Sequence, residues 1–140
     1  TLSSSSAASD VYKRQPYPQA RLFESRDSTR DRLASVALAH HCNAPPAPGS
    51  WVAFEYRRPV QLVETFTLGE ARSQVDARLW TPAAVDCFQS RGKVRMLAIG
   101  INTAEDYQAA TCLKMDAVLV DSPRAMGEMK QRLERPLPCR

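Results

Sequence analysis

Asn102 and Asp121 are the polar residues best placed to do chemistry, because each closes a short aliphatic run and opens a segment with helix-start signals. Val94 to Ile101 reads VRMLAIGI, too short for a typical helix and too apolar for a strand exposed on one face. That predicts a buried parallel strand. Asn102-Thr103-Ala104-Glu105-Asp106 then supplies cap-type residues followed by acids in a first turn, where carboxylates meet the positive end of the helix dipole. Tyr107, Ala110 and Leu113 carry that helix on, and Ala117 to Val120 forms a second aliphatic run closed by Asp121-Ser122-Pro123. Strand, helix, strand in this order is a βαβ crossover, and ligands in such folds collect at the carboxyl ends of the strands. Asn102 and Asp121 can each contact a ligand there. Each is also the residue expected to cap the helix that follows.

The run from Asn102 to Pro123 resembles, without a gap, the last strand–helix–strand unit of the glycerophosphodiester phosphodiesterases, whose pattern is roughly W-T-V-N-x-x-E-(D/E)-…-G-V-D-G-I-(I/V)-T-D-R-P. Asn102, Glu105, Asp106, Asp116, Val118, Leu119, Asp121 and Pro123 match it. Ile99-Gly100-Ile101 stands where W-T-V is usual, Lys114 and Ala117 replace two glycines, and Ser122 replaces an arginine. Ile99 would therefore remove an aromatic wall from the substrate pocket, and Lys114 must take a helix-terminating backbone that glycine accepts with less strain. Upstream, Thr81, Pro82, Val85 and Gly92 also match the family, and Arg26 to Tyr56 is loosely similar to the helix, Pro-rich loop and strand that precede them.

The resemblance implies an α/β fold: the carboxyl-terminal βα units of a (β/α)8 barrel of the phospholipase-C-like phosphodiesterase type. It also implies hydrolysis of glycerophosphodiesters to glycerol 3-phosphate and an alcohol. The family does this with a divalent metal, calcium or magnesium, held by carboxylates, and with a histidine pair for proton transfer. Its signature is H-R-G, then E-x-D, then a further histidine, and this chain has none of them. Glu55 is the carboxylate at a strand end that merits a test as a metal ligand, but the residue two positions on is Arg57, so the E-x-D pattern fails. No catalytic or metal residue is assigned; Asn102, Asp121 and Ile99 are the substrate-pocket candidates.

A complete barrel needs about 250 residues, and the chain has 140. The expectation is therefore a part of a barrel, inactive alone, whose unpaired strand edges promote self-association. Thr1 to Gln15, TLSSSSAASDVYKRQ, lacks apolar periodicity and reads as disordered; it also looks like translated sequencing-adapter sequence. Residues 16–50 read as a helix with a Pro-rich loop, 51–134 as βα units, and 135–140 as a loose tail. Within them Arg21 to Glu24 suggests a strand remnant, Asp27 to about His41 a helix, and Trp51 to Tyr56 a strand. Gln61 to Phe66 and Val75 to Trp80 read as further short strands, with a turn at Leu68-Gly69. Thr81-Pro82 opens a helix to Arg91, and Arg124 to Glu134 forms the last helix, with Met126, Met129 and Leu133 as its apolar side.

A net charge of +4 with scattered arginines, and no basic stripe interleaved with aromatics, argues against nucleic-acid binding. No apolar run is long enough for a membrane span. Cys42, Cys87, Cys112 and Cys139 form no C-x-x-C pair, and the expectation is reduced, structural thiols. His40 and His41 fall at a helix end, where the dipole favours them, and take no catalytic role. The alternatives that stay open are another phosphate-handling (β/α)8 enzyme and a non-catalytic βα domain that binds a partner. Localisation is left open.

Overall fold

The structure, a computed structural model, describes residues 18, 19 and 21–139. The reading of Thr1 to Gln15 lies outside them. The chain is a mixed α/β protein built on a parallel sheet. Its elements are α1 (Arg26–Ala39), β1 (Trp51–Glu55), β2 (Arg57–Phe66), β3 (Gly69–Arg78), α2 (Pro82–Gln89), β4 (Arg95–Ile99), α3 (Ala104–Cys112), β5 (Ala117–Leu119) and α4 (Pro123–Arg132).

β4 lies in the middle of the parallel sheet, whose order is β1-β4-β5. Trp51 pairs with Arg95 and Glu55 with Ile99 on one side, Leu97 with Ala117 and Ile99 with Leu119 on the other. Phe23 adds a single parallel bridge outside Trp51, so the predicted strand remnant is present at one residue. Because side chains alternate along a strand, Val52, Phe54, Met96 and Ala98 share one face. They are buried beneath Leu33 and Val36 of α1, Ala84 and Phe88 of α2, Ala110 of α3 and Met126 of α4. The opposite face differs from the expectation of a strand buried on both sides. Leu97 and Ile99 are half-buried there, Ala117 is exposed and Leu119 is 53% exposed.

Val75 to Trp80 is not a strand of the parallel sheet. β1 pairs directly with β4, and β3 runs antiparallel to β2 for its whole length, from Arg57 opposite Arg78 to Phe66 opposite Gly69. An alternating run fits any half-solvated strand, so periodicity predicts the strand and not its partner. The crossover from β1 to β4 thus carries a long hairpin, with Thr67-Leu68 as its turn, before α2.

Local signals explain where the helices begin and end. Thr81 caps α2 by accepting from the Ala84 N–H at 3.1 Å, with Pro82 at the first helical position. α2 ends two residues early, at Gln89, and Gly92 follows at φ 138°, where an added Cβ would come within 3.0 Å of Pro48. α3 ends at a left-handed Lys114, φ 58°, the backbone anticipated for it.

The cysteines overturn the expectation of reduced thiols. Cys42 is bonded to Cys87 and Cys112 to Cys139. The first bridge fastens the loop after α1 to α2. The second ties the segment after α4, read above as a loose tail, back to α3, where the Gln108 amide also donates to the Pro138 carbonyl. Thiols remote in sequence pair when packing brings their Cα atoms to about 5.5 Å, a distance that spacing does not encode.

Candidate functional site

The carboxyl ends of β1, β4 and β5 lie at one end of the sheet and gather Glu55, Ile99, Asn102 and Asp121. Asn102 and Asp121 form a reciprocal bracket. The Asn102 amide donates to Asp121 Oδ2 at 2.8 Å, and the Asp121 backbone N–H donates to Asn102 Oδ1 at 2.9 Å. Neither caps a helix, contrary to expectation. Thr103 and Ser122 take the cap positions, accepting from the backbone N–H of Asp106 and Ala125. The sequence held that signal: Thr103 and Asp106 have the spacing of a capping box, and Pro123 at the first helical position makes Ser122 the cap. Relieved of capping, the two exposed side chains fasten the β4–α3 turn to the β5–α4 turn. They border a small cavity of about 190 Å³ with Met126 and Met129. Ile99 stands between Glu55 and Leu119 in the register, on the open face of the sheet.

Glu55 is held by arginines. Arg26 forms an ion pair with its Oε1, and the Arg26 and Arg58 guanidinium groups lie 5.1 and 5.8 Å from the centre of the Phe54 ring. Burial pushes the Glu55 carboxyl up, but the Arg26 hydrogen bond and the charges of Arg26 and Arg58 outweigh it and hold the group below its ordinary value. Glu55 Oε2 and Arg58 Nη1 are shielded from solvent without a hydrogen-bond partner among the described residues. Among those residues no three of His, Cys, Asp and Glu converge. A hard divalent cation needs several oxygen ligands, and one carboxylate already paired with arginine does not fit such an ion. His40 and His41 are exposed at the far end of α1, away from these strand ends.

A second arginine pair was not anticipated. Arg57 Nε lies 3.0 and 2.9 Å from the two oxygens of Asp106, and its Nη2 lies 2.7 Å from Oδ1; Asp106 is 3% exposed. Arg78 reaches Glu105 at 3.1 Å beside it. The acids expected to serve the dipole of α3 therefore also hold the base of the hairpin. The Arg57 hydrogen bond holds the Asp106 carboxyl below its ordinary value. Its stabilisation is complete above the unfolded carboxyl value of about 3.9 and is lost as pH falls through the lower folded value. Arg57→Met strands a buried carboxylate and is expected to weaken folding at least about tenfold at neutral pH. The acid response should also change: protonating Asp106 relieves the stranded charge, so the variant loses less stability than wild type between about pH 7 and pH 3. Urea midpoints across that range measure both effects, and parallel acid profiles would exclude this role for the pair. Asp116 acts at the opposite, amino end of β5, accepting from the Met96 N–H at 2.9 Å and lying 3.2 Å from both Lys93 and Arg95.

Sequence and fold comparisons place the chain beside known proteins. No family model matches the chain. The chain is 49% identical over 110 residues to the uncharacterised protein Rv2277c of Mycobacterium tuberculosis strain H37Rv, a match covering 79% of this chain and 36% of the relative. It is equally similar to the uncharacterised protein MT2337 of strain CDC 1551, with the same coverage. The chain thus spans about a third of the length of the curated relatives it matches. Its fold superposes on the crystal structure of the glycerophosphoryl diester phosphodiesterase domain of Rv2277c with a TM-score of 0.66 and 44% identity, covering 79% of this chain and 41% of that one.

Proposed function

We propose that the chain is the carboxyl-terminal part of a glycerophosphodiester phosphodiesterase-like (β/α)8 barrel, and that it is inactive by itself. The observation that carries this reading is the Asn102–Asp121 bracket at the carboxyl ends of adjacent parallel strands, in a chain similar to a solved phosphodiesterase domain. The open face of the sheet supports it, since Leu97, Ile99 and Leu119 are the side chains that a closed barrel would bury. In the intact protein, Asn102, Asp121 and Ile99 would line one side of the pocket for a glycerophosphodiester. The missing part would supply the metal carboxylates, with calcium or magnesium, and the acid–base histidines.

Two measurements test the proposal. The chain alone, incubated with a glycerophosphodiester and either cation, should release no glycerol 3-phosphate, and calorimetry should detect no tight one-to-one cation binding. Turnover by the isolated chain would refute its incompleteness. Reading the gene upstream should reveal H-R-G and E-x-D, and a complete first half without either would refute the enzymatic assignment.

A further inference from the structure

The hairpin β2–β3 is the largest element that the phosphodiesterase reading does not use. Its strands pair only with each other among the described residues, yet a lone two-stranded hairpin is marginal in water and gains stability from further strands sharing an apolar face. The register supplies such a face. Val60 lies opposite Val75 and Leu62 opposite Ser73, with Phe66 toward the tip, and Leu62, Phe66 and Val75 are 46%, 58% and 43% exposed.

The two edges of the hairpin are not equivalent. A two-residue connection closes on a pair that exchanges backbone hydrogen bonds, and such pairs then alternate with pairs whose N–H and C=O point outward. Counting from Phe66 opposite Gly69, the outward groups belong to positions 57, 59, 61, 63 and 65 of β2 and to 70, 72, 74, 76 and 78 of β3. Position 59 is proline, which has no N–H to offer, so the edge of β2 is blunted. β3 contains no proline, and among the described residues its outward donors and acceptors have no backbone partner.

That edge is complementary to itself. Antiparallel pairing of two β3 strands about a twofold axis at Gln74 sets Gln74 opposite Gln74, Arg72 opposite Asp76 and Glu70 opposite Arg78. All of these are positions with outward backbone groups. Moving the axis to Ser73 sets Glu70 against Asp76, and moving it to Val75 sets Arg72 against Arg78, so charge selects the register. Asp76 forms no ion pair among the described residues, and Arg72 pairs only with its exposed neighbour Glu70, at 3.2 Å. The same register directs the fully exposed tip residue Leu68 toward the Trp80 end of the other copy. A groove of about 630 Å³ lies there, lined by Tyr56, Trp80, Pro82 and Leu113 among others.

We propose that the chain forms a twofold dimer in which β3 pairs with β3 of a second copy, making a four-stranded antiparallel sheet with one continuous apolar face. The interface is isologous, so it closes at two copies. Light scattering after size exclusion, together with sedimentation equilibrium on the full chain, tests it. Wild type should be a dimer. Arg72→Asp should weaken the dimer at least about tenfold by setting two like-charge pairs across the axis. The swap Arg72→Asp/Asp76→Arg should restore it, because each pair is again of opposite sign. Gln74→Pro removes a donor that the hairpin itself does not use; it should yield monomers whose circular dichroism and urea midpoint match those of monomeric Arg72→Asp. A wild-type monomer at about 100 μM would overturn the proposal. So would failure of the charge swap to restore the dimer, or persistence of the oligomer in both Arg72→Asp and Gln74→Pro, which would place association at the open face or at the free edge of β5.

Discussion

Removing the Cys42–Cys87 bridge is expected to cost about 4 kcal/mol of folding stability, the loop-closure entropy returned to the unfolded chain by a cross-link of this span. The bridge closes a 45-residue separation that contains β1 and the whole hairpin. It joins an exposed loop to a helix whose Ala84 and Phe88 are fully buried against the sheet. Without it, α1 is held by burial of Thr29, Leu33 and Val36, by the ion pairs of Arg26 with Glu55 and Arg32 with Glu24, and by the Arg32 hydrogen bond to the Ala44 carbonyl. Cys42→Ala/Cys87→Ala should therefore lower the urea midpoint sharply, and reduction of the wild-type protein should do the same. The Cys112–Cys139 bridge spans 27 residues, and the same relation gives it slightly less, about 3.5 kcal/mol. If reduced and oxidised protein unfold at the same urea concentration, neither bridge contributes.

Phe54→Ala is expected to cost about 3–5 kcal/mol, the range for emptying a buried aromatic site. Phe54 is 0% exposed in the middle of the core face, and its carbonyl accepts the Trp80 indole N–H at 3.2 Å. Its ring also supports Arg26 and Arg58, the two cations that hold Glu55 at the strand end. Truncation should thus loosen the candidate site as well as the core. Tryptophan fluorescence should shift as Trp80 gains water, and hydrogen exchange at its indole should quicken. Leu38→Ala serves as the control: Leu38 is 83% exposed, and surface truncations change stability by only about 0.5 kcal/mol. Equal losses from the two variants would contradict the described core.

Local chemistry alone determined β4, α3 and β5, because each is written in a short range of residues. An aliphatic run, a capping residue with acids after it, and a second aliphatic run bounded by Pro123 suffice, and the parallel pairing of the runs follows from the helix between them. The same locality put Asn102 and Asp121 at one end of the sheet, since each directly follows a parallel strand. It located Thr81-Pro82 as a helix start for the same reason, whereas the left-handed terminus at Lys114 was anticipated only through the family resemblance, which sets a glycine there.

Tertiary structure decided whatever depends on partners distant in sequence. Alternation identified only the last part of β3, from Val75 on, as a strand and carried no information about whether it joins β1 or β2; the direct pairing of β1 with β4 excluded it from the parallel sheet. Arg57 and Asp106 are separated by 49 positions, so nothing local announces that the acid expected to face the dipole of α3 is buried under a guanidinium. The disulfides follow the same rule, because their pairing is a distance between Cα atoms that only packing sets. Asn102 and Asp121 show both limits at once. Their placement was legible, but their mutual hydrogen bonds were not, because it took the folded turns to give capping to Thr103 and Ser122 and leave the two side chains facing each other.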